Sequence, residues 1–406
     1  MKIALVGPAH PYKGGGARHT TELAHRLTAA GHDVIIESWR AQYPARLYPG
    51  QQTVDEAEGE PYPRTRRRLA WYSPWSWFAA GRRLRSTDLV VFALLTPIQV
   101  PAYLVMLVAL GRARRTVVLC HNVLPHERRP GDVLLTRTLL RRAGAALVHS
   151  PDQAAQVRTL APRTPVTVAP LPFHWPHPQH GRGAPTPFAK ELRGPRTPSQ
   201  GASCATKRLD APGAADAPGA LGATRPPGAP DDSPTRLLFF GIVRPYKGLD
   251  VLLRALAEAP GGLTLTVAGE FWGGTGDTEK LVAELGITDL VTLRPGYVKA
   301  SEVPLLFAQA DVLVLPYRTA TASQNALLAF AHGVPVIATT AGALAEHVID
   351  GVNGFTARPG DVASLLKALR RFSERGTAAA LRAGVQPPDA GPAWAAYAAR
   401  VTASYQ

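Results

Sequence analysis

The segment from about Gly181 to Ser233 divides this sequence, because it is built of Ala, Pro, Gly, Ser and Arg with almost no large apolar residue. Pro-Gly-Ala and Ala-Pro-Gly recur in it, beside one Pro-Pro-Gly, with neither helical nor strand periodicity. Such a segment cannot bury enough apolar surface to offset the entropy of ordering it. A stretch this long is uncommon inside a compact domain, so it marks a boundary. We read residues 1–175 as one domain, 176–234 as a disordered linker and 235–388 as a second domain. Residues 389–406 form a terminal Ala-rich helix carrying Trp394 and Tyr397.

On both sides of the boundary, short apolar runs alternate with helical segments. Before it, strands are expected at residues 2–7, 33–37, 89–95, 116–120, 145–148 and 166–168, with a helix at 17–30. After it they are expected at 237–240, 263–267, 291–293, 312–315 and 334–338. Strands separated by helices pair in parallel and are covered on both faces, which is why they read as continuous apolar runs. The fold class is α/β, with two doubly wound Rossmann-like domains. Ligands of such sheets bind beyond the carboxyl ends of the strands, which puts a site in a cleft between the domains.

Composition narrows the class of partner. An apolar share of 46% excludes a mainly disordered chain. A formal net charge of +15 favours anionic partners, whether nucleotide diphosphates, acidic lipid headgroups or nucleic acid. Cys120 and Cys204 are the only cysteines, too few for a disulfide framework or a thiolate metal site, so a reducing compartment is expected. Scarce Met with abundant Gly, Pro and Arg suggests a GC-rich bacterial genome. Met1-Lys2 runs directly into Ile3-Ala4-Leu5-Val6, so no signal peptide is expected. Residues 89–110 carry no charge, but Pro97 and Pro101 interrupt them. A buried strand, a short turn and an amphipathic helix are expected there rather than a membrane span.

Four loops carry residues suited to chemistry. Gly14-Gly15-Gly16 follows the first strand and precedes a helix, where backbone amides and the helix N-terminus suit a phosphate or sugar. The spacing is not that of the G-x-G-x-x-G dinucleotide fingerprint. Arg244-Pro245-Tyr246-Lys247-Gly248 follows a strand and Gly241, and its two cations can grip a diphosphate. His121-Asn122-Val123-Leu124-Pro125-His126-Glu127 caps another strand. A metal set drawn from His121, His126 and Glu127 has no ligand-spacing precedent, so no metal is expected. The fourth loop, Pro316 through Arg318, Thr321, Ser323, Gln324 and Asn325, leads into a helix that Ser323 or Thr321 can cap, leaving free amides aimed at a phosphate.

Taken in this order, the loops resemble those of the family-4 retaining glycosyltransferases of the GT-B fold. The pieces are the Gly-rich first loop, Gly241 through Arg244 and Lys247-Gly248, and Gly333-Val334-Pro335-Val336 followed by Glu346 and Asp350-Gly351. The likeness covers almost the whole chain except the linker. It implies a nucleotide-diphosphate sugar, UDP- or GDP-linked, held mainly by the second domain, with no cofactor and no metal. Arg244 and Lys247 would neutralise the leaving diphosphate, Gly14, Gly15 and Gly16 would lie near it, and His121 would line the sugar pocket. Backbone around Tyr297 would meet the base. Gly241, Arg318, Thr321, Ser323, Gln324, Asn325 and Glu346 complete the implied donor contacts. The terminal helix would cross back to the first domain.

One departure stands out. Many relatives carry two glutamates eight positions apart before Gly333; here those positions are Ala320 and Leu328. A subgroup binds phosphate instead through a Thr/Ser/Gly-rich loop, yet Gln324 stands where a glycine is usual. Three functions therefore stay open: a retaining hexosyltransferase acting on a glycan or lipid-linked acceptor, a catalytically impaired nucleotide-sugar-binding partner, and a nucleotide-sugar epimerase of similar fold. Arg64, Arg66, Arg67 and Arg68 precede Trp71, Tyr72, Trp75, Trp77 and Phe78. Cations beside aromatics suit an anionic membrane surface or, by stacking, nucleic acid. Core aromatics with solvated arginines are the plain alternative. The expected location is the cytoplasm, at the inner face of the membrane.

Overall fold

The computed structural model describes residues 1–44, 52–54, 59–111, 115–174, 207–208, 234–320 and 324–404. The linker assigned from composition lies outside the described residues, apart from Lys207–Arg208 and Pro234 at its end.

Among the described residues the strands form two sheets. The first holds β1 (Lys2–Val6), β2 (Asp33–Ala41), β3 (Thr65–Ala70), β4 (Leu89–Leu94), β5 (Arg115–Cys120), β6 (Ala145–Val148) and β7 (Val166–Val168), in the order β3-β2-β1-β4-β5-β6-β7. All its pairings are parallel. β4 and β6 are buried along their whole length, as a sheet covered on both faces requires. The sequence reading missed β3, an edge strand in which Arg66, Arg67 and Arg68 are exposed and only Leu69 and Ala70 are buried. Edge strands keep charges outward, and that hides them from an apolar-run criterion.

Chain direction assigns the helices to faces. From β1 the chain steps one way to β2, whereas β3 to β4, β5 and β6 step the other way. With right-handed crossovers, α1 (Gly15–Ala29) lies on one face and α2 (Pro74–Arg83), α3 (Val100–Leu110) and α4 (Asp132–Arg142) share the other, followed by α5 (Pro151–Leu160). Two cores confirm it. One joins Ala80, Tyr103, Met106, Leu139 and Val157 beneath α2 to α5. The other joins Leu23 and Leu27 of α1 to Trp394, Tyr397 and Val401 of α12 (Ala390–Ala403), so the last helix completes the first domain.

The second sheet runs β14-β13-β12-β9-β10-β11-β8. Its strands are β8 (Lys207–Arg208), β9 (Thr235–Phe240), β10 (Leu263–Gly269), β11 (Val291–Pro295), β12 (Val312–Leu315), β13 (Val336–Thr339) and β14 (Gly354–Ala357), and only β8 pairs antiparallel. Here α6 (Leu249–Ala257), α7 (Gly276–Glu284) and α10 (Val362–Ser373) cover one face, while α8 (Val303–Ala308) and α9 (Asn325–Ala331) cover the other. α11 (Thr377–Ala383) packs beside α10. Among the parallel strands of each sheet the direction of chain travel reverses once, between β1 and β4 and between β9 and β12. The loops at those two reversals are the ones that face each other.

The uncharged stretch before Gly111 needs a correction. It forms β4, a 3-10 turn Pro97–Gln99 and α3, but α3 is not amphipathic: its eleven residues are apolar on every side. Among the described residues no helix is long and apolar enough to cross a membrane.

Candidate functional site

A cavity of about 300 Å³ lies between the carboxyl ends of the two sheets, at the small end of the range for ligand sites. The first domain contributes Gly15, Gly16 and Arg18 from the start of α1, and His121, Asn122 and His126 from the loop after β5. The second contributes Tyr246 and Lys247 from the loop after β9, and Tyr317, Ala320, Gln324 and Asn325 from the loop after β12. Two of the four loops that the sequence singled out by position thus meet the other two across one crevice.

Lys247 is placed by the glycine that follows it. Gly248 has φ 66°, and a Cβ there would stand 2.1 Å from the carbonyl oxygen of Pro316. Only glycine permits that approach, which folds the 3-10 turn Pro245–Lys247 against the end of β12. The Lys247 ammonium then lies 4.9 Å from the Tyr317 ring centroid. Burial lowers its pKa, partly opposed by Tyr246. A part-buried cation without a full counter-charge is relieved by an incoming anion.

Arg244 does not line the cavity. Its guanidinium stacks 4.6 Å over the Trp272 ring and is ion-paired with Glu127 of the first domain. Arg318 is also turned aside: it holds Asp250 through two bonds of 2.7 and 2.6 Å and donates to Pro245 O at 2.9 Å. It braces the 245–250 loop. Asn325 Nδ2 donates to Phe240 O at 3.0 Å and to Tyr317 Oη at 3.2 Å, tying the end of β9 to the loop after β12 beside Gly241.

On the opposite wall, Gly14 takes φ 98° and α1 begins at Gly15. A Cβ on Gly16 would stand 2.1 Å from Leu95 Cδ2, so the glycine lets the first turn of α1 settle against the end of β4. Behind this turn lies a cluster the sequence did not reveal. His19, His121 and His149 are mutual neighbours, with ring centroids 4.8 Å (His19–His121) and 5.4 Å (His121–His149) apart. His174 is 5.4 Å from His19, and Trp394 stacks on His19 at 5.3 Å. Burial pushes all four imidazoles down, His149 and His174 to about 4 and the other two well below their usual value. Burial thus favours the uncharged form of His121, and its Nε2 has no hydrogen-bond partner. Gln324 Oε1 is likewise buried without a partner.

The two walls are also tied together. Lys13 is ion-paired with Glu270, and its ammonium sits 5.1 Å over the Tyr297 ring. Arg18 donates to Tyr297 Oη at 3.1 Å. His126 stacks on Tyr246 with centroids 4.5 Å apart and lies 3.1 Å from Thr319 Oγ1. Tyr297 thus sits between two cations of the first domain. Lys13 and Arg18 escaped the sequence reading although they flank the glycine run. Glu270 carried no local signal at all.

Other expected residues fall elsewhere. Thr321 and Ser323 lie outside the described residues. Glu346 is exposed at the end of a 3-10 turn and does not line the cavity. His121, His126 and Glu127 diverge toward His19, Tyr246 and Arg244, and the described residues hold no group of three or more ligands suited to a metal. Ala320 lines the cavity, whereas Leu328 is 1% exposed in the core of the second domain. Arg66 and Arg83 both meet Glu37, which is fully buried, at 3.4 and 3.0 Å. Arg67 donates to His10 O at 2.9 Å, and Trp77 donates to Ala70 O at 2.7 Å. Trp71 and Trp75 remain exposed, at 42% and 75%, as does Arg68.

Two family models match the chain. Residues 13–173 match "Glycosyltransferase Family 4" and residues 234–375 match "Glycosyl transferases group 1", so both domains are covered. The chain belongs to the family-4, group 1 glycosyltransferases. Among curated relatives, D-inositol 3-phosphate glycosyltransferase of Mycobacterium sp. (strain KMS) is 32% identical over 172 residues, 42% of this chain and 39% of that protein. The enzyme of the same name from Streptomyces avermitilis is 36% identical over 151 residues, 34% of this chain and 32% of that protein. The matched segments thus span under half of those relatives. Solved structures match along the whole chain. Sucrose-phosphate synthase from Thermosynechococcus elongatus has a TM-score of 0.63 at 18% identity, covering 100% of this chain and 95% of that one. HepE from Anabaena, in complex with UDP, has 0.65 at 16%, covering 99% and 100%. The lipopolysaccharide outer core galactosyltransferase WaaB has 0.64 at 15%, covering all of both chains. At such identities the likeness establishes the fold of this glycosyltransferase-family chain, which is GT-B.

Proposed function

We propose that this family-4 chain is a retaining glycosyltransferase that moves a hexose from a UDP- or GDP-linked donor to a glycan or lipid-linked acceptor at the cytoplasmic face of a membrane. One observation carries the reading: the Lys247 ammonium projects into the same crevice as the first turn of α1 and the neutral His121. Cleaving the bond from sugar to diphosphate leaves negative charge on the diphosphate. A fixed cation and backbone amides aimed at that charge stabilise the transition state more than the ground state. Glu127 holds Arg244 in the free protein, and a diphosphate entering beside Lys247 offers Arg244 a stronger partner. His121 Nε2 and Gln324 Oε1 would meet hydroxyls of the sugar. No resident cofactor is needed for this chemistry, and Lys247 with Arg244 would supply the positive charge that a metal supplies elsewhere. Structures of HepE hold UDP and UDP-glucose, which supports a donor of this class.

A specific observation favours a second reading. The position of the second family glutamate is Leu328, sealed in a core, so no carboxylate reaches the donor from there. A nucleotide-sugar-binding protein without transfer activity would tolerate that loss. Incubating the full chain with a panel of UDP- and GDP-hexoses separates the cases. Release of free nucleotide diphosphate, by transfer or slow hydrolysis, supports the enzyme. Tight binding with no turnover across acceptors supports the binding protein, and conversion to an epimeric donor would sink both.

A further inference from the structure

The outward side of the helix layer on the first domain has no assigned role. Its central member, α3, carries Val-Pro-Ala-Tyr-Leu-Val-Met-Leu-Val-Ala-Leu, without one polar side chain other than the Tyr103 hydroxyl, which is buried and donates to Ala93 O at 2.9 Å. A helix apolar on all sides belongs in a core or in lipid. Here the sheet covers its inner side and α2 flanks it closely. At Gly81 of α2 a Cβ would stand 2.6 Å from the Ala109 Cβ and 2.7 Å from Met106 O. Nothing described covers the outer side, where Val108 is 74% exposed.

The neighbours extend this surface. In α2, Trp75 is 75% exposed and stacks on Phe78 one turn along, with Trp71 and Tyr72 exposed just before it. In α4, Leu134 is 65% exposed. Because α2, α3 and α4 lie on the same side of the sheet, their outer residues form one face. Exposed arginines border it: Arg82 and Arg85 near the end of α2, Arg137 and Arg141 along α4. Across residues 61–150 the sequence holds fifteen arginines and three acidic residues, Asp88, Glu127 and Asp132. Glu127 is already held by Arg244.

We propose that this α2–α3–α4 face docks on an anionic lipid bilayer, with Trp75, Val108 and Leu134 entering the headgroup boundary and the arginines meeting lipid phosphates. The proposal rests on the membrane-face part of the reading above and not on its donor chemistry. α3 is 11 residues long. At 1.5 Å per residue it measures about 16 Å, roughly half a hydrocarbon core, so it lies in the surface and does not cross it. Trp and Arg are the side chains suited to that depth, one amphipathic and one attracted by anionic headgroups. Charge decides for lipid over a second copy of this chain, because two such faces would set arginine against arginine.

Sedimentation of the full chain with phosphatidylcholine vesicles, with and without phosphatidylglycerol, tests the proposal. The chain should pellet only with the anionic vesicles, and less as salt rises. The double variant Val108→Asp/Leu134→Asp should lose binding at least about tenfold, and Arg137→Glu/Arg141→Glu by a similar factor. Both pairs are exposed, so melting temperature should stay at the wild-type value. Equal pelleting of wild type and the aspartate variant, or no pelleting at low salt, overturns the proposal. So does an association between copies, seen without vesicles and lost in that variant, because a second copy would then own the face. Hydrolysis of UDP-hexose in the vesicle-free sample reads the donor chemistry separately, so either idea can fail alone.

Discussion

Arg244 and Glu127 belong to different domains, and their side chains meet across the mouth of the crevice. The guanidinium is sandwiched between that carboxylate and the Trp272 ring. Under the function proposed above, a donor diphosphate reaching Arg244 would have to displace Glu127. Lys13 with Glu270 and Arg18 with Tyr297 hold the same two walls together.

Removing the charge at Glu127 should ease donor binding. In Glu127→Gln, Arg244 loses its ionic competitor and the donor KM should fall roughly two- to fivefold. The pair is partly exposed, so its contribution is below about 1 kcal/mol. Initial rates against donor concentration check this, and an unchanged or higher KM would show that Glu127 does not compete.

Lys247→Ala should lower kcat/KM for the donor by about 10²- to 10³-fold, corresponding to about 2.7–4 kcal/mol for one missing contact to developing charge. Lys247→Arg should recover only part of it, because a planar fork replaces a compact ammonium beside Tyr317. Wild-type turnover in Lys247→Ala would remove Lys247 from the mechanism.

Acidification should unfold the first domain through its histidines. His149 in the folded state titrates at about 4, below its ordinary 6.5, because burial disfavours the imidazolium. Between those values the unfolded chain binds more protons, so stability rises with pH there. It is intact above about pH 6.5 and falls as the pH drops toward 4, by about 3 kcal/mol for this one group. His19 and His121 act in the same direction. Melting temperature measured from pH 7.5 to 4.5 should drop steeply, and less steeply in His149→Asn. Equal slopes in the two proteins would contradict the assignment.

Restoring the family carboxylates should succeed at one position and fail at the other. Ala320→Glu places a side chain in the cavity and should fold normally. Leu328→Glu puts a carboxylate into the apolar core cluster that also holds Phe330, Val334 and Leu344, and should cost several kcal/mol or abolish folding. Denaturant unfolding of both variants measures the difference.

Much of the architecture was legible because parallel strands buried on both faces must be apolar throughout, as in Leu-Val-Val-Phe-Ala-Leu of β4. The positions of the glycine turn, Lys247 and His121 followed from the same logic, since loops at the carboxyl ends of such strands line a cleft. β3 stayed hidden because an edge strand may carry Arg66, Arg67 and Arg68 on its open side. α3 was misjudged because a short apolar run does not say which of its sides will be covered.

Partnership across the crevice was beyond the sequence. Arg244 follows β9 and Arg318 follows β12, both apolar strands of one sheet, yet one reaches Glu127 and the other Asp250. Local patterning fixes which segments become strands and which loops lie at their ends, because that depends on burial along one element. Which charge meets which depends on how two separately folded sheets face each other. Residues 257 positions apart, such as Lys13 and Glu270, become neighbours only then.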